Sequence, residues 1–171
     1  IGIAGGQWQH ALADGPGSGM SSMSGEVLVD TNVLVYAYDR SEHAKQRLAL
    51  AVLDLLAGTQ RGVLTTQVLG ELFVTLTRKL TERMAVEQAA ERIHHYVLSW
   101  PVLDVTRLIV LEAARGVRLH QLSFWDAQIW ATARLNQIPV ILSEDFDANR
   151  TLDGIRVVNP FTPDFDLTAW S

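Results

Sequence analysis

Short apolar runs alternate with longer stretches of helical period along most of the chain. Val27-Leu28-Val29 is a short run that ends in Asp30-Thr31-Asn32, with Val33-Leu34-Val35-Tyr36 beyond. A run of this kind, bounded by polar turn formers, reads as a strand buried on both faces of a parallel sheet. From Ser41 to Ala57 the apolar positions Ala44, Leu48, Ala51, Val52 and Leu55 keep the helix period, and Gly58 is a stop signal. Val63-Leu64-Thr65 predicts a second strand. Gln67 to Leu80 predicts a helix, with Val68, Leu72, Leu76 and Leu80 spaced by fours. Ala85 to Ser99 predicts another, cut by Pro101. Val102-Leu103 predicts a strand, Arg107 to Arg115 a helix ended by Gly116, and Phe124 to Asn136 a helix with Phe124, Ala127, Ala131 and Leu135 on one stripe. Pro139–Leu142 and Ile155–Val158 predict the last strands, and the tail after Pro160 reads as irregular. Strands alternating with helices predict an α/β fold: a parallel β-sheet with helices on both faces.

The ends of the chain differ in character from this pattern. Residues 1–24, with Gly-Pro-Gly-Ser-Gly at 15–19, read as a leader or extension outside the domain, in which Met20 or Met23 could serve as a start. Trp8 is expected to lie on a neighbouring chain. Residues 25–162 form the expected domain and 163–171 a C-terminal tail. At 171 residues the length suits one domain, and 48% hydrophobic residues suffice for a core. The absence of cysteine excludes disulfides, thiolate–metal sites and a cysteine nucleophile, and is compatible with a reducing cytosol. No apolar run is long enough to span a membrane. With 14 basic and 19 acidic residues, the net charge of −5 excludes a general basic coat for nucleic acid. A phosphate-bearing substrate would have to be met locally, by a few cations or by metal.

Four acids stand where such chemistry could occur. Asp30 follows the first strand, and ligands of open parallel sheets bind beyond strand carboxyl ends. Asp-Thr-Asn also suits a plain turn. Asp145 occupies an acidic turn, Ser143-Glu144-Asp145-Phe146-Asp147, after a later strand; the alternative is a solvated loop. Glu71 lies inside a helix, where Thr75 and Arg78 share its face; it could equally be a solvent-facing acid. Asp126 follows Ser123 by three, which fits a capping box as well as a ligand. Four carboxylates brought together would repel unless a cation relieved them. Oxygen donors of this kind suit Mg²⁺ or Mn²⁺. Setting these four aside, 19 acids become 15 against 14 bases, so the remaining surface is close to neutral.

Taken in order, Val-Leu-Val-Asp30-Thr31-Asn32-Val-Leu-Val-Tyr-Ala, internal Glu71 followed by Arg78-Lys79, Leu122-Ser123-Phe124-Trp125-Asp126-Ala127, Leu142-Ser143-Glu144-Asp145-Phe146 and Val157-Val158-Asn159-Pro160-Phe161 resemble the PIN-domain proteins, specifically the VapC-type toxins of bacterial toxin–antitoxin pairs. The resemblance covers about Val27 to Phe161. It implies an acidic pocket that binds Mg²⁺ or Mn²⁺, endoribonuclease activity and a cognate antitoxin that blocks it. It assigns Asp30, Glu71, Asp126 and Asp145 as the catalytic acids, with Asp30, Asp126 and Asp145 as metal ligands and Asp147 as an alternative fourth acid. Thr31, Asn32 and Ser143 would support the pocket. Arg78 and Lys79 are candidates for phosphate contact, or simply a solvated helix end. His43, His94, His95 and His120 read as surface or partly packed.

The implied reaction is metal-assisted hydrolysis of an RNA phosphodiester. Other classes fit less well. A haloacid-dehalogenase-type phosphatase needs a second acid where Asn32 stands, a receiver domain needs a phosphoacceptor that Val63–Thr66 does not offer, and no Gly-x-Gly-x-x-Gly follows Val29. The rival from another class is a non-catalytic module that binds RNA or protein. A DNA-cutting enzyme on the same scaffold is a third reading, without a basic arm to favour it. For an antitoxin, the apolar helices Arg47–Leu56 and Ala85–Leu98 could form a groove for an amphipathic segment; they could equally be covered within the fold or in a homodimer, the expected assembly.

Overall fold

The computed structural model describes residues 25–146 and 150–170. The leader with Trp8, and Asp147, lie outside the described residues. β1 (Val27–Val29) is fully buried and runs directly into α1 (Thr31–Tyr36), followed by α2 (His43–Gly58) and β2 (Gly62–Thr65). Then come α3 (Thr66–Arg78), α4 (Val86–Ser99), β3 (Val102–Leu103), α5 (Arg107–His120), α6 (Phe124–Leu135) and β4 (Val140–Leu142). A hairpin of β5 (Thr151–Leu152) and β6 (Ile155–Val158) and a 3₁₀ turn (Leu167–Trp170) complete the chain.

The strands form one sheet in the order β3-β2-β1-β4-β6-β5. All pairs are parallel except β5 with β6. The chain leaves β1 toward β2 and β3, then returns to β4 on the other side of β1. β1 and β4 therefore flank the switch point, the place where open α/β sheets collect ligands. Right-handed crossovers send helices before and after such a reversal to opposite faces. Accordingly, α1, α2, α3 and α4 pack among themselves and α5 packs on α6. The core is mainly apolar, from Val27, Leu28 and Val29 to Trp130 and Ile141, and among the buried polar side chains are Asp30, Thr31 and Ser143 at the end of β1 and β4.

The sequence pattern misses some local structure. Thr31–Tyr36 is helical from the first residue after Asp30, because the Asp30 carboxylate caps it: Oδ1 accepts the Thr31 backbone N–H at 2.6 Å. Gly116 does not end its helix; α5 continues to His120 and stops at Gln121, which adopts φ +56°. Gly116 is there for close approach, since a Cβ at that position would sit 2.8 Å from the Trp130 ring. The tail is not wholly irregular: Trp170 in the 3₁₀ turn is buried, and its carbonyl accepts a hydrogen bond from Arg61.

Candidate active site

The register of the sheet brings the first two elements of the site together. Val29 pairs with Leu142, so Asp30 and Ser143 emerge side by side from neighbouring strands. The Asp30 backbone N–H donates to the Leu142 carbonyl at 3.0 Å. Ser143 Oγ donates to Asp30 Oδ2 at 2.7 Å and accepts the Asp145 backbone N–H at 3.1 Å. Asn32, in the first turn of α1, bridges the two loops. Its Nδ2 lies 3.3 Å from Asp30 Oδ2, 3.1 Å from Ser143 Oγ and 3.1 Å from Asp145 Oδ2, and its Oδ1 accepts the Glu144 backbone N–H.

Asp126 enters from the first turn of α6. Ser123 caps that helix, its Oγ accepting the Asp126 N–H and donating to Asp126 Oδ2 at 2.8 Å. Capping and pocket geometry thus coexist in one residue pair. Asp30, Asp126 and Asp145 each offer a carboxylate oxygen, and these oxygens lie within 4.8 Å of one another. Asp30 is buried, Asp126 half-buried and Asp145 exposed, so the hollow opens toward solvent on the Asp145 side.

Glu71 stands beside this trio rather than in it. Both of its oxygens are engaged: Oε2 accepts from the Thr31 hydroxyl at 3.4 Å and Oε1 from Gln67 Nε2 at 2.8 Å. Gln67 also donates to the Trp125 carbonyl and accepts from Gln128 Nε2 at 2.6 Å. This amide relay ties α3 to the turn that carries Asp126. The sequence reading misses Gln67 and Gln128, because an amide inside a helix has no distinguishing spacing. Arg78 and Lys79 are exposed at the far end of α3, two turns beyond Glu71. Among the described residues, no histidine joins the acidic group.

The electrostatics follow from burial and crowding. Burial pushes the Asp30 carboxyl up to about 7 from its ordinary 3.8; the hydrogen bonds from Ser143 and Thr31 oppose this, and the charges of Asp145 and Asp126 add to it. Asp126 is raised too, by burial and by Asp145, against the Ser123 hydrogen bond. The hydrogen-bond partners of all three acids among the described residues are neutral. Three hard oxygen donors that crowd one another and lack a countercharge fit a divalent cation of the Mg²⁺ or Mn²⁺ class.

The sequence profile of the PIN domain family matches residues 27–153, which include every one of these acids. The chain belongs to the PIN domain family. Solved structures with this PIN fold include a toxin–antitoxin complex from Klebsiella pneumoniae, at 19% identity and a TM-score of 0.59, covering 79% of this chain and 98% of that one. VapC20 of Mycobacterium tuberculosis, described as a sarcin–ricin loop cleaving toxin, shares 21% identity over 71% of this chain and 90% of its own, with a TM-score of 0.51. DNA-bound VapBC from Salmonella typhimurium gives 19% identity, a TM-score of 0.54 and coverage of 78% and 96%. No curated protein matches the sequence. Among the described residues of this PIN domain, no helix is long and apolar enough to cross a membrane.

Proposed function

We propose that this PIN domain is a metal-dependent endoribonuclease of the VapC type, the toxin of a toxin–antitoxin pair. The observation that carries the reading is the meeting of Asp30, Asp126 and Asp145, from two strand ends and a helix start, in one hollow where their hydrogen-bond partners among the described residues are all neutral. These three residues would hold Mg²⁺ or Mn²⁺. When bound, the cation supplies Lewis acidity, which favours an ionised water as nucleophile and offsets charge growing on the phosphate. Asp30, buried and fixed by Ser143 and Thr31, sets the floor of the site. Asp145 would complete the ligand set on the solvent side, from which the substrate enters. Glu71, with its oxygens accepting from Thr31 and Gln67, orients the α1 side of the hollow, and its carboxylate is the candidate general base for the attacking water's proton. Arg78 and Lys79 are proposed to meet phosphates away from the scissile bond.

The antitoxin belongs to the same proposal, and two features support it. The hollow would attract an arginine or lysine from an inhibitor. Between α2 and α4 lies a cleft of about 270 Å³ lined by Tyr38, Leu50, Leu53, Tyr96 and Trp100, among others, which suits an amphipathic segment. A homodimer is proposed as the assembly, since Leu108 and Leu111 expose apolar surface on α5.

The test is cleavage of RNA by the purified chain with Mn²⁺ or Mg²⁺, with and without EDTA, beside Asp30→Asn. Metal-dependent cleavage that the substitution abolishes is expected. Equal cleavage by the wild type and a folded Asp30→Asn protein defeats the assignment.

A further inference from the structure

Outside the acidic hollow, a second cluster of functional groups is built against its rim. Tyr36 closes α1, Lys45 lies in the first turn of α2, Glu144 directly precedes Asp145, and Phe161 ends the Asn159-Pro160-Phe161 run. Lys45 Nζ donates to Glu144 Oε1 and, at 2.8 Å, to the Tyr36 hydroxyl. The Tyr36 hydroxyl donates to Glu144 Oε2 at 2.5 Å. The same ammonium lies 4.4 Å from the Tyr36 ring centroid and 5.7 Å from that of Phe161, and the two rings meet edge to face at 4.8 Å. The Lys45 and Glu144 side chains are only 30% and 25% exposed, so this is more than a solvated surface pair.

We infer that the Tyr36–Lys45–Glu144 cluster, backed by Phe161, is the positioning device that holds Asp145 at the acidic hollow. This rests on the nuclease reading of that hollow. Asp145 is the exposed member of the trio, and it faces two like charges. Repulsion alone would turn it out into solvent. One side-chain hydrogen bond from Asn32 and the bond from its own N–H to Ser143 restrain it directly. The neighbouring Glu144 adds the remaining anchor: its backbone N–H is bound by Asn32, and its carboxylate is gripped from α1 and α2. Holding Glu144 at both ends fixes the peptide that aims Asp145. Lys45 is thereby spent on Glu144 and is not a free phosphate contact.

Groups that orient a metal ligand from behind typically affect metal affinity by about 10–100-fold. Lys45→Met is therefore expected to move the midpoint of a Mn²⁺ thermal-shift titration upward by about tenfold or more, without lowering the metal-free Tm in proportion. The Mn²⁺ concentration for half-maximal RNA cleavage should move by the same factor, while kcat returns toward wild type at saturating Mn²⁺. Lys45→Arg should recover much of the midpoint, and Tyr36→Phe should show a smaller shift in the same direction. An unchanged metal midpoint in Lys45→Met overturns the inference, and so does a rise in KM for RNA with no change in metal response, which would make Lys45 a phosphate contact. A wild type that shows no metal response in either readout overturns the nuclease reading and this inference together.

Discussion

Two clusters of charge in this molecule obey opposite rules. On α5 and α6, Glu112 accepts from both Arg115 and Arg134 at 2.6 Å, and Asp153, in the turn between β5 and β6, lies 3.2 Å from Arg115, 3.6 Å from Arg134 and 3.4 Å from His120. The two guanidinium groups also sit 5.4 and 5.8 Å from the buried Trp130 ring. Each acid here has cations of its own, and the Arg115 hydrogen bonds hold both Glu112 and Asp153 below the ordinary carboxylate range. At the sheet's switch point, Asp30, Asp126 and Asp145 have only neutral hydrogen-bond partners among the described residues, and burial raises Asp30 and Asp126. One cluster is satisfied by the protein itself. The other leaves like charges facing one another. A residue list of acids does not separate the two; their partners do.

The widest separation between the clusters should appear in catalysis. Asp126→Asn keeps the shape of the side chain but removes a charge from the hollow. It should lower metal-dependent RNA cleavage by about a thousandfold or more, since a catalytic ion stabilises the transition state by several kcal/mol. Glu112→Gln should leave the cleavage rate at the wild-type value. Steady-state rates on one RNA substrate at saturating Mn²⁺ decide both. A loss of activity in Glu112→Gln at full folding would break the division of labour.

Metal addition is the next largest contrast. At a hundredfold excess over Kd a ligand stabilises by about 2.7 kcal/mol, which for a chain of this size corresponds to a Tm rise of roughly 5–11 °C. Wild type and Glu112→Gln should both show that rise with Mn²⁺. In Asp30→Asn it should shrink to near zero. Differential scanning fluorimetry with and without EDTA reads all three.

How much of this could be read from the sequence depended on whether the signal was local. Asp30 and Ser143 follow short apolar runs, so the pattern puts both at carboxyl ends of parallel strands; that β1 and β4 are neighbours, which makes them meet, is set by the strand order. The α1 helix was illegible because six residues rich in Val and Leu show no helical period. Gly116 misleads because the usual reason for a glycine near a helix end, a left-handed cap, is here taken by Gln121, while Trp130 demands the missing side chain. β5 is too short to leave a pattern. The pattern puts Thr75 and Arg78 on the face of Glu71, whereas its hydrogen-bond partners are Gln67 and Thr31, because helix rotation relative to α1 is set only by packing. Lys45 was invisible for the same reason: its partners lie nine and 99 positions away in the chain.

The pH dependence of the metal-free protein isolates the hollow. Asp30 titrates near 7 in the fold and near 3.8 in the unfolded chain, so between those values the native state holds a proton that the unfolded state has lost. Stability then falls as pH rises across that window and levels off above it. Asp126, also raised, adds a slope of the same sign. Glu112 and Asp153 are lowered, so their contribution is present above the ordinary carboxylate pKa and is lost only in acid below it. Urea unfolding between pH 5 and 8 in EDTA should therefore show decreasing stability with rising pH. The slope should flatten in Asp30→Asn and persist in Glu112→Gln. With Mn²⁺ present it should weaken or reverse, because metal competes with the proton for the same oxygens.

The smallest effect is the most diagnostic, because the two clusters should respond with opposite signs. In EDTA at pH 8, Glu112→Gln removes a charge that two arginines need. It should lower the Tm by about 2–4 °C, the shift expected for ~1 kcal/mol in a domain of this size. Asp30→Asn removes a charge that nothing balances. Asparagine caps a helix as well as aspartate does, so its Oδ1 can still accept the Thr31 N–H, and the Ser143 hydroxyl can rotate from donor to acceptor to meet the new amide. The 3.3 Å bond from Asn32 Nδ2 is lost, since the new amide nitrogen cannot accept it, but Asn32 keeps Asp145 Oδ2 as an acceptor. With the two shorter bonds kept and the buried charge gone, Asp30→Asn should melt higher than the wild type when metal is absent and lower when metal is saturating. That crossover is the signature of a site whose stability has been given up for a ligand. A metal-free Asp30→Asn protein that melts below the wild type would show that the hollow satisfies its own charge, as the α5–α6 cluster does.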